Sequence, residues 1–408
     1  MGKSPYGMAG FGRAADRPRG MGMMSQGAAN LSEVYPLLPF EPVVGQGVHL
    51  KDQSGRQILD LYGGHAVASL GYGHPRLTKA INKQAERLLF QSNLVTVRTR
   101  NEAADKLAAF APEGLTRVFF VNSGSEANEN ALRIALQVTS RSTIVAVEHA
   151  FHGRTAAAAT VTWEAANSWY GFPQAPFNVK FVPRNDVAAL HAAVDGDTAG
   201  IIIEPVQGVA GAFDFSLEFM KATRKACDQN EAILILDEVQ TGVGRLGTPF
   251  GADLYGIRPD LLTTAKALGG GFPCAALLMT DALAADIGAG AMGSTFGGGP
   301  LACAAIKTVL EVIEEDNLLH QVREISAQIK KKCIRGPITS MQGAGFLIGL
   351  KTVPRAVSVR DALLQKGILT GTSADPHVLR LLPPLILEES HVDYLAQTLE
   401  ELNSEPLQ

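Results

Sequence analysis

The sequence predicts an α/β fold: a large domain built on a mostly parallel sheet, followed by a smaller α+β domain. Three observations predict it. Short runs of Ile, Val, Leu and Phe with little polar alternation recur between residues 117 and 280, as in strands covered by helices on both faces. Longer stretches of helical periodicity separate these runs. Beyond about residue 330 the pattern changes to a strand, a helix and a strand of a separate unit. Composition agrees, because 408 residues at 46% hydrophobic and 19% charged hold ample material for a core and too much for a disordered chain.

The elements follow in chain order. Residues 1–30 are expected to be a flexible tail. The first 24 hold six Gly, five Met and the basic residues Lys3, Arg13, Arg17 and Arg19 against Asp16 alone, with no apolar core of a secretory signal. Residues 31–60 are expected to pack with the small domain, and 48–61 to form a hairpin around Asp52-Gln53-Ser54-Gly55. Helices are expected at 75–89 and 101–110. The large domain, 61–300, then carries strands at 117–121, 143–147, 200–204, 232–236, 261–264 and 275–280. Helices are expected at 126–137, 217–229, 301–315 and 318–331. In the small domain, 301–408, a strand is expected at 346–351, a helix at 358–366 and a strand at 378–382.

Several function classes fall away at once. Lys plus Arg is 36 against 40 for Asp plus Glu, a net charge of −4, which suits no dedicated nucleic-acid binder. No apolar run approaches the roughly 18 residues of a membrane helix. Cys227, Cys274, Cys303 and Cys333 are too widely spaced for a zinc ribbon or a CxxC site. They read as reduced buried thiols of a cytoplasmic protein, and no metal site is expected.

In an open α/β sheet, ligands bind beyond the carboxyl ends of the strands, and there the residues become informative. After the strand at 117–121 comes Asn122-Ser123-Gly124-Ser125-Glu126, leading into a helix. Free amides and hydroxyls at a helix start suit a phosphate, and they equally suit a plain cap. After 143–147 comes Phe151-His152-Gly153-Arg154. Phe151 fits a stacking partner for a flat ring, Arg154 a bidentate grip on a carboxylate, and each also fits an ordinary core or surface role. Glu204 ends the next strand. Asp237 ends the one after it, where a carboxylate needs a partner such as a protonated ring nitrogen. Lys266 stands between apolar residues and the run Gly269-Gly270-Gly271. A desolvated lysine there has a lowered pKa and can attack an aldehyde.

A decoy lies nearby. Gly242-Val243-Gly244-Arg245-Leu246-Gly247 fits GxGxxG, but a dinucleotide site needs a helix opening in that loop. Pro249 and Gly251 follow instead, and Asp237 would repel a pyrophosphate. Neither HExxH nor GxSxG occurs. The strand-end residues together compose a site for pyridoxal phosphate and an amino-acid substrate.

These motifs resemble those of the class III pyridoxal-phosphate aminotransferases. NSGSEANE, FHGRT, EPVQG, LDEVQTGVGR, PDLLTTAKALGGGFP, GSTFGG and LRLLPPL occur in the family's order, and the resemblance runs from about residue 43 to 387. FHGRT with Gly63-Gly64-His65-Ala66-Val67 is most similar to acetylornithine and succinylornithine aminotransferases. The resemblance implies a type I fold, pyridoxal 5'-phosphate, and a homodimer with shared active sites. It implies that Lys266 is the Schiff-base lysine and proton shuttle, and that Asp237 pairs with the pyridine nitrogen. Phe151 and Val239 are expected to sandwich the ring, and Gln240 to approach its hydroxyl. Ser123, Gly124 and Ser125 are expected at the phosphate, with Thr295 reaching it from the other subunit. Arg154 is expected to hold a substrate carboxylate, and Arg380 the α-carboxylate of glutamate, with Glu204 masking Arg380 when the other donor binds. The implied reaction moves the terminal amine of an N-acylated ornithine to 2-oxoglutarate. The alternatives are 4-aminobutyrate or ornithine transamination, or a glutamate-semialdehyde type of aminomutase. Three departures from the family pattern neighbour the substrate entrance: Val209-Ala210-Gly211 for Glu-Gly-Gly, Gly299 for Asn, and Tyr72 for His. Each leaves the catalytic groups in place.

Overall fold

The computed structural model describes residues 30–402 apart from residue 33. The tail expected over the first residues lies outside the described residues up to position 29. Seventeen strands occur among the described residues, numbered here in chain order.

Strands β1 (Pro42–Gln46), β2 (His49–Asp52) and β3 (Gln57–Asp60) form an antiparallel meander. The expected hairpin turn joins the last two. Seven strands then make the central sheet: β4 (Leu115–Val121), β5 (Thr143–Val147), β6 (Asn178–Val182), β7 (Thr198–Ile203), β10 (Ile233–Asp237), β11 (Leu261–Thr264) and β12 (Ala275–Thr280). Their spatial order is β4-β12-β11-β10-β7-β5-β6. Two short strands, β8 (Val206–Gln207) and β9 (Phe213–Asp214), form a separate ribbon. The pairings from β11 through β6 are parallel, while β12 runs antiparallel to both β11 and β4. The inner strands are buried along nearly their whole length, which explains their continuous apolar sequence.

The sequence pattern did not reveal β6 or the helix Val187–Ala193. As the edge strand of the sheet, β6 is buried fully only at Val182, so Asn178 and Lys180 interrupt the apolar run.

The C-terminal part contributes a four-stranded antiparallel sheet: β13 (Ile338–Ala344), β14 (Leu347–Thr352), β16 (Gly371–Thr372) and β17 (Val378–Leu381), in the order β13-β14-β17-β16. Strand β15 (Ile368–Leu369) leaves it to pair parallel with β3, so the N-terminal meander is completed by a C-terminal strand. The helix Pro300–Glu315 packs on the helices Pro75–Arg87 and Arg98–Phe110. One apolar cluster extends from these helices into β14 and β17. The four cysteines are buried and unpaired, and no described helix is long and apolar enough to cross a membrane.

Candidate active site

Parallel strands deliver their carboxyl ends to one edge of the sheet, and a cavity of about 370 Å³ opens there. Its wall takes Ser123, Gly124 and Ser125 after β4, Phe151 and His152 after β5, and Glu204 after β7. Asp237, Val239 and Gln240 follow β10, and Lys266 follows β11. Residues 271–274 join the same rim because β12 runs the opposite way, so its entrance lies where its neighbours end.

Asp237 is held most tightly. It is 3% exposed and pairs in register with Thr263 on β11. The Thr263 hydroxyl donates to Asn128 Oδ1 (2.7 Å), and Asn128 Nδ2 donates to Asp237 Oδ2 (2.7 Å). His152 Nδ1 lies 2.7 Å from the same carboxylate oxygen, and the Val239 amide donates to Oδ1 (3.0 Å). Three donors thus compensate a buried carboxylate. Asn128 went unassigned in the sequence. It lies one helical turn beyond Gly124 on the same face of the helix Gly124–Thr139, a spacing that could have flagged it.

Lys266 opens a short 3₁₀ turn with φ +43°, a left-handed conformation that a non-glycine residue adopts at a cost. Burial pushes its ammonium down to about 8, opposed by the charges of Asp237 and Glu204. Glu204 is pushed up to about 7, by burial first. Its two oxygens accept the amides of Phe151 (2.9 Å) and Gly208 (3.2 Å).

At the helix start, the Ser123 side chain accepts from the Glu126 amide in a capping box. The Gly124 and Ser125 amides, in the first helical turn, have no intrahelical acceptor. A Cβ on Gly124 would lie 2.7 Å from Val239 Cγ1, and one on Gly153 2.2 Å from Ser125 Oγ. Both glycines are therefore required by close approach. No helix opens between Gly242 and Gly247, so the GxGxxG match is a run of turns.

Three sequence-predicted residues lie outside the cavity wall. Arg154 is exposed, with its guanidinium 4.8 Å from the Trp169 ring centroid. Thr295 is exposed on the loop before the helix Pro300–Glu315. Arg380, on β17, is 6% exposed. It donates to the carbonyls of Thr372 (2.8 Å) and Gly208 (3.1 Å) and to the Tyr62 hydroxyl (2.7 Å). Glu204 and Arg380 form no direct ion pair among the described residues, but the Gly208 peptide touches both.

Tyr62 precedes a turn the sequence did not suggest. Gly63, Gly64, His65 and Ala66 all have φ between +54° and +67°, a single left-handed turn. His65 and Ala66 each cost roughly 1–2 kcal/mol there. Buried Asp60 fastens its start, accepting the amides of Tyr62 (2.7 Å) and Gly63 (2.9 Å) and the Tyr72 hydroxyl. The turn delivers Val67 to the cavity wall.

A half-buried lysine of lowered pKa sharing a cavity with a fixed carboxylate, beside a helix start suited to phosphate, suits pyridoxal-type amine chemistry. Comparison with known proteins agrees. The family described as Aminotransferase class-III matches residues 33–402. The acetylornithine aminotransferase of Methanosarcina acetivorans is 37% identical over 372 residues, 90% of this chain and 93% of that protein. That of Methanocaldococcus jannaschii is 38% identical over 387 residues, 91% and 96% of the two chains. Among solved structures, an ornithine aminotransferase from Toxoplasma gondii superposes with a TM-score of 0.85 at 27% identity, covering 92% of this chain and 91% of that one. It is described with partial occupancy of PLP at its active site. The chain belongs to the class III aminotransferases, and it is an aminotransferase.

Proposed function

We propose that the enzyme transfers the terminal amino group of an N-acylated ornithine, N-acetylornithine foremost, to 2-oxoglutarate, with pyridoxal phosphate as its cofactor. The observation that carries the reading is Lys266, pushed down to about 8, sharing one cavity with the triply held Asp237. The residues fit the cofactor. Gln240 Oε1 is buried with no hydrogen-bond partner among the described residues, and Gly124 lets the helix start approach Val239 closely, where a Cβ would lie 2.7 Å from Val239 Cγ1. Bound there, pyridoxal phosphate supplies an aldehyde for the amine and an electron-withdrawing ring.

The chain's own residues do the rest. Ser123, Gly124 and Ser125 hold the phosphate through the helix start. Phe151 and Val239 confine the ring, Gln240 meets its hydroxyl, and Asp237 stabilises the protonated ring nitrogen. Lys266 Nζ would be the amine that binds the cofactor's aldehyde, and in its neutral form it would serve as the base that moves a proton at the reacting carbon. Arg154 takes the carboxylate of the acylated donor. Arg380 takes that of glutamate or 2-oxoglutarate, with Glu204 covering Arg380 in the other half-reaction. Thr295 serves the phosphate of a second subunit in a homodimer. This placement is supported by the exposed apolar residues Leu89, Phe90, Leu94 and Phe296 around its loop, a patch expected at an interface.

The N-acylornithine substrate is favoured by the named relatives at 37–38% identity. A second reading, free ornithine as donor, is favoured by the Toxoplasma gondii likeness. One half-reaction separates them. The cofactor-loaded enzyme is mixed with N-acetylornithine, ornithine, 4-aminobutyrate or glutamate, and the visible band of the bound cofactor is followed. Fast bleaching by N-acetylornithine and glutamate alone supports the reading; fast bleaching by ornithine or 4-aminobutyrate instead replaces the donor. Retained transamination in Lys266→Ala overturns the whole assignment.

A further inference from the structure

Arg380 is gripped on three sides before any substrate arrives. A guanidinium has five N–H donors in a planar fork. Nε donates to the Thr372 carbonyl (2.8 Å), one terminal nitrogen to the Gly208 carbonyl (3.1 Å) and the other to the Tyr62 hydroxyl (2.7 Å). That leaves one N–H on each terminal nitrogen, two donors that a carboxylate can accept. Two of the three anchors are backbone carbonyls of neighbouring segments. The third is a side chain from the other end of the sequence.

Tyr62 is itself closely fitted. Its ring lies on Gly371 of β16, where an added Cβ would meet the ring at 1.9 Å. His65 meets it edge-on at 4.7 Å, and the Arg380 guanidinium lies 5.5 Å from its centroid. Its backbone is set by Asp60, which accepts the Tyr62 amide (2.7 Å). The hydroxyl therefore has little freedom to follow Arg380 if the arginine swings.

We propose that Tyr62 is a positioning residue for Arg380, holding the guanidinium with its free N–H pair available to the carboxylate of glutamate and 2-oxoglutarate. It does not serve the acylated donor. The inference rests on the proposed two-substrate transamination, in which Arg380 acts in only one half-reaction.

The test is Tyr62→Phe in the cofactor-loaded full chain, with each half-reaction followed separately. A hydrogen bond to a charged group is worth about a factor of ten or more in binding. The glutamate concentration at half-maximal bleaching is expected to rise about ten-fold, with the saturating rate within about two-fold. The Kd for glutarate, a dicarboxylate with no amine to transfer, is expected to rise by a similar factor in calorimetry. Bleaching by N-acetylornithine should change by less than about two-fold. Gly371→Ala reaches the same point differently, by displacing the Tyr62 ring with every polar group kept, and its loss should fall on the same ligands. Equal losses with both donors, or no loss with either, would overturn the proposal. If the wild-type enzyme is bleached by neither donor, the functional reading fails and the inference with it. That outcome is read in the wild type, whereas failure of the inference alone is read in the ratio of variant to wild type.

Discussion

Replacing Lys266 with Met tests whether the fold desolvates this amine. Met keeps the length and most of the volume of the side chain and removes its charge. In the folded protein the ammonium is pushed from 10.5 down to about 8; in the unfolded chain it titrates near its ordinary value. Between these two values the unfolded chain holds a proton that the folded protein does not. Stability therefore rises with pH across the window from 8 to 10.5, and below pH 8 the folded state carries the full cost of a buried charge. Two and a half pH units at 1.36 kcal/mol each amount to about 3 kcal/mol, an upper figure because Lys266 is only partly shielded from the cavity. The assay is urea unfolding of the cofactor-free protein from pH 7 to 10.5, wild type and Lys266→Met side by side. Other lysines and tyrosines titrate in the same range, so the difference between the two proteins is the quantity to follow. At pH 7 the variant is expected to be more stable by up to about 3 kcal/mol, an advantage that shrinks toward zero near pH 10.5. A difference that stays flat would show that Lys266 titrates as an exposed amine and would refute the argument for a neutral base.

Other expectations can be checked alongside. Asn128→Ala removes the donor that ties Asp237 to Thr263, and should cost about 1.5–3 kcal/mol in urea unfolding while weakening cofactor affinity in titrations followed by absorbance. Gly124→Ala places a methyl 2.7 Å from Val239 Cγ1. It should push Val239 into the cavity and weaken cofactor binding about ten-fold or more, with thermal stability lowered by about 1–3 kcal/mol. Arg245 is wholly buried, with Nε and Nη2 unpartnered among the described residues. Arg245→Met should therefore be close to neutral or stabilising in the same unfolding assay; a loss above about 3 kcal/mol would mean that its bond to the Pro383 carbonyl dominates.

Much of the site was legible because chemistry in this fold gathers at strand ends. A continuous apolar run that stops at Asp237, or at Lys266 before three glycines, puts a charged group where burial is costly, and that contrast is visible in one dimension. The inner strands were legible for the same reason. The edge strand β6 was not, since its half-solvated residues carry no continuous apolar signal. Asn128 and Tyr62 were hidden because their importance lies in a partner 109 and 318 residues away, which no local pattern encodes.

The sequence by itself determined the fold class, the buried strands, the family motifs and the placing of Asp237 and Lys266, the two residues on which the proposed chemistry rests, at strand ends, where charged residues stand out against apolar runs. Only the tertiary structure decided that β12 runs backwards and so brings residues 271–274 to the rim. Only it revealed the left-handed turn at 63–66, whose strain is sustained by Asp60 and Tyr72. It also decided that Glu204 and Arg380 meet through Gly208 rather than directly. The physical reason is that strand direction, backbone handedness and shared hydrogen-bond partners are settled by packing between distant segments, where several weak local preferences yield to one well-satisfied arrangement.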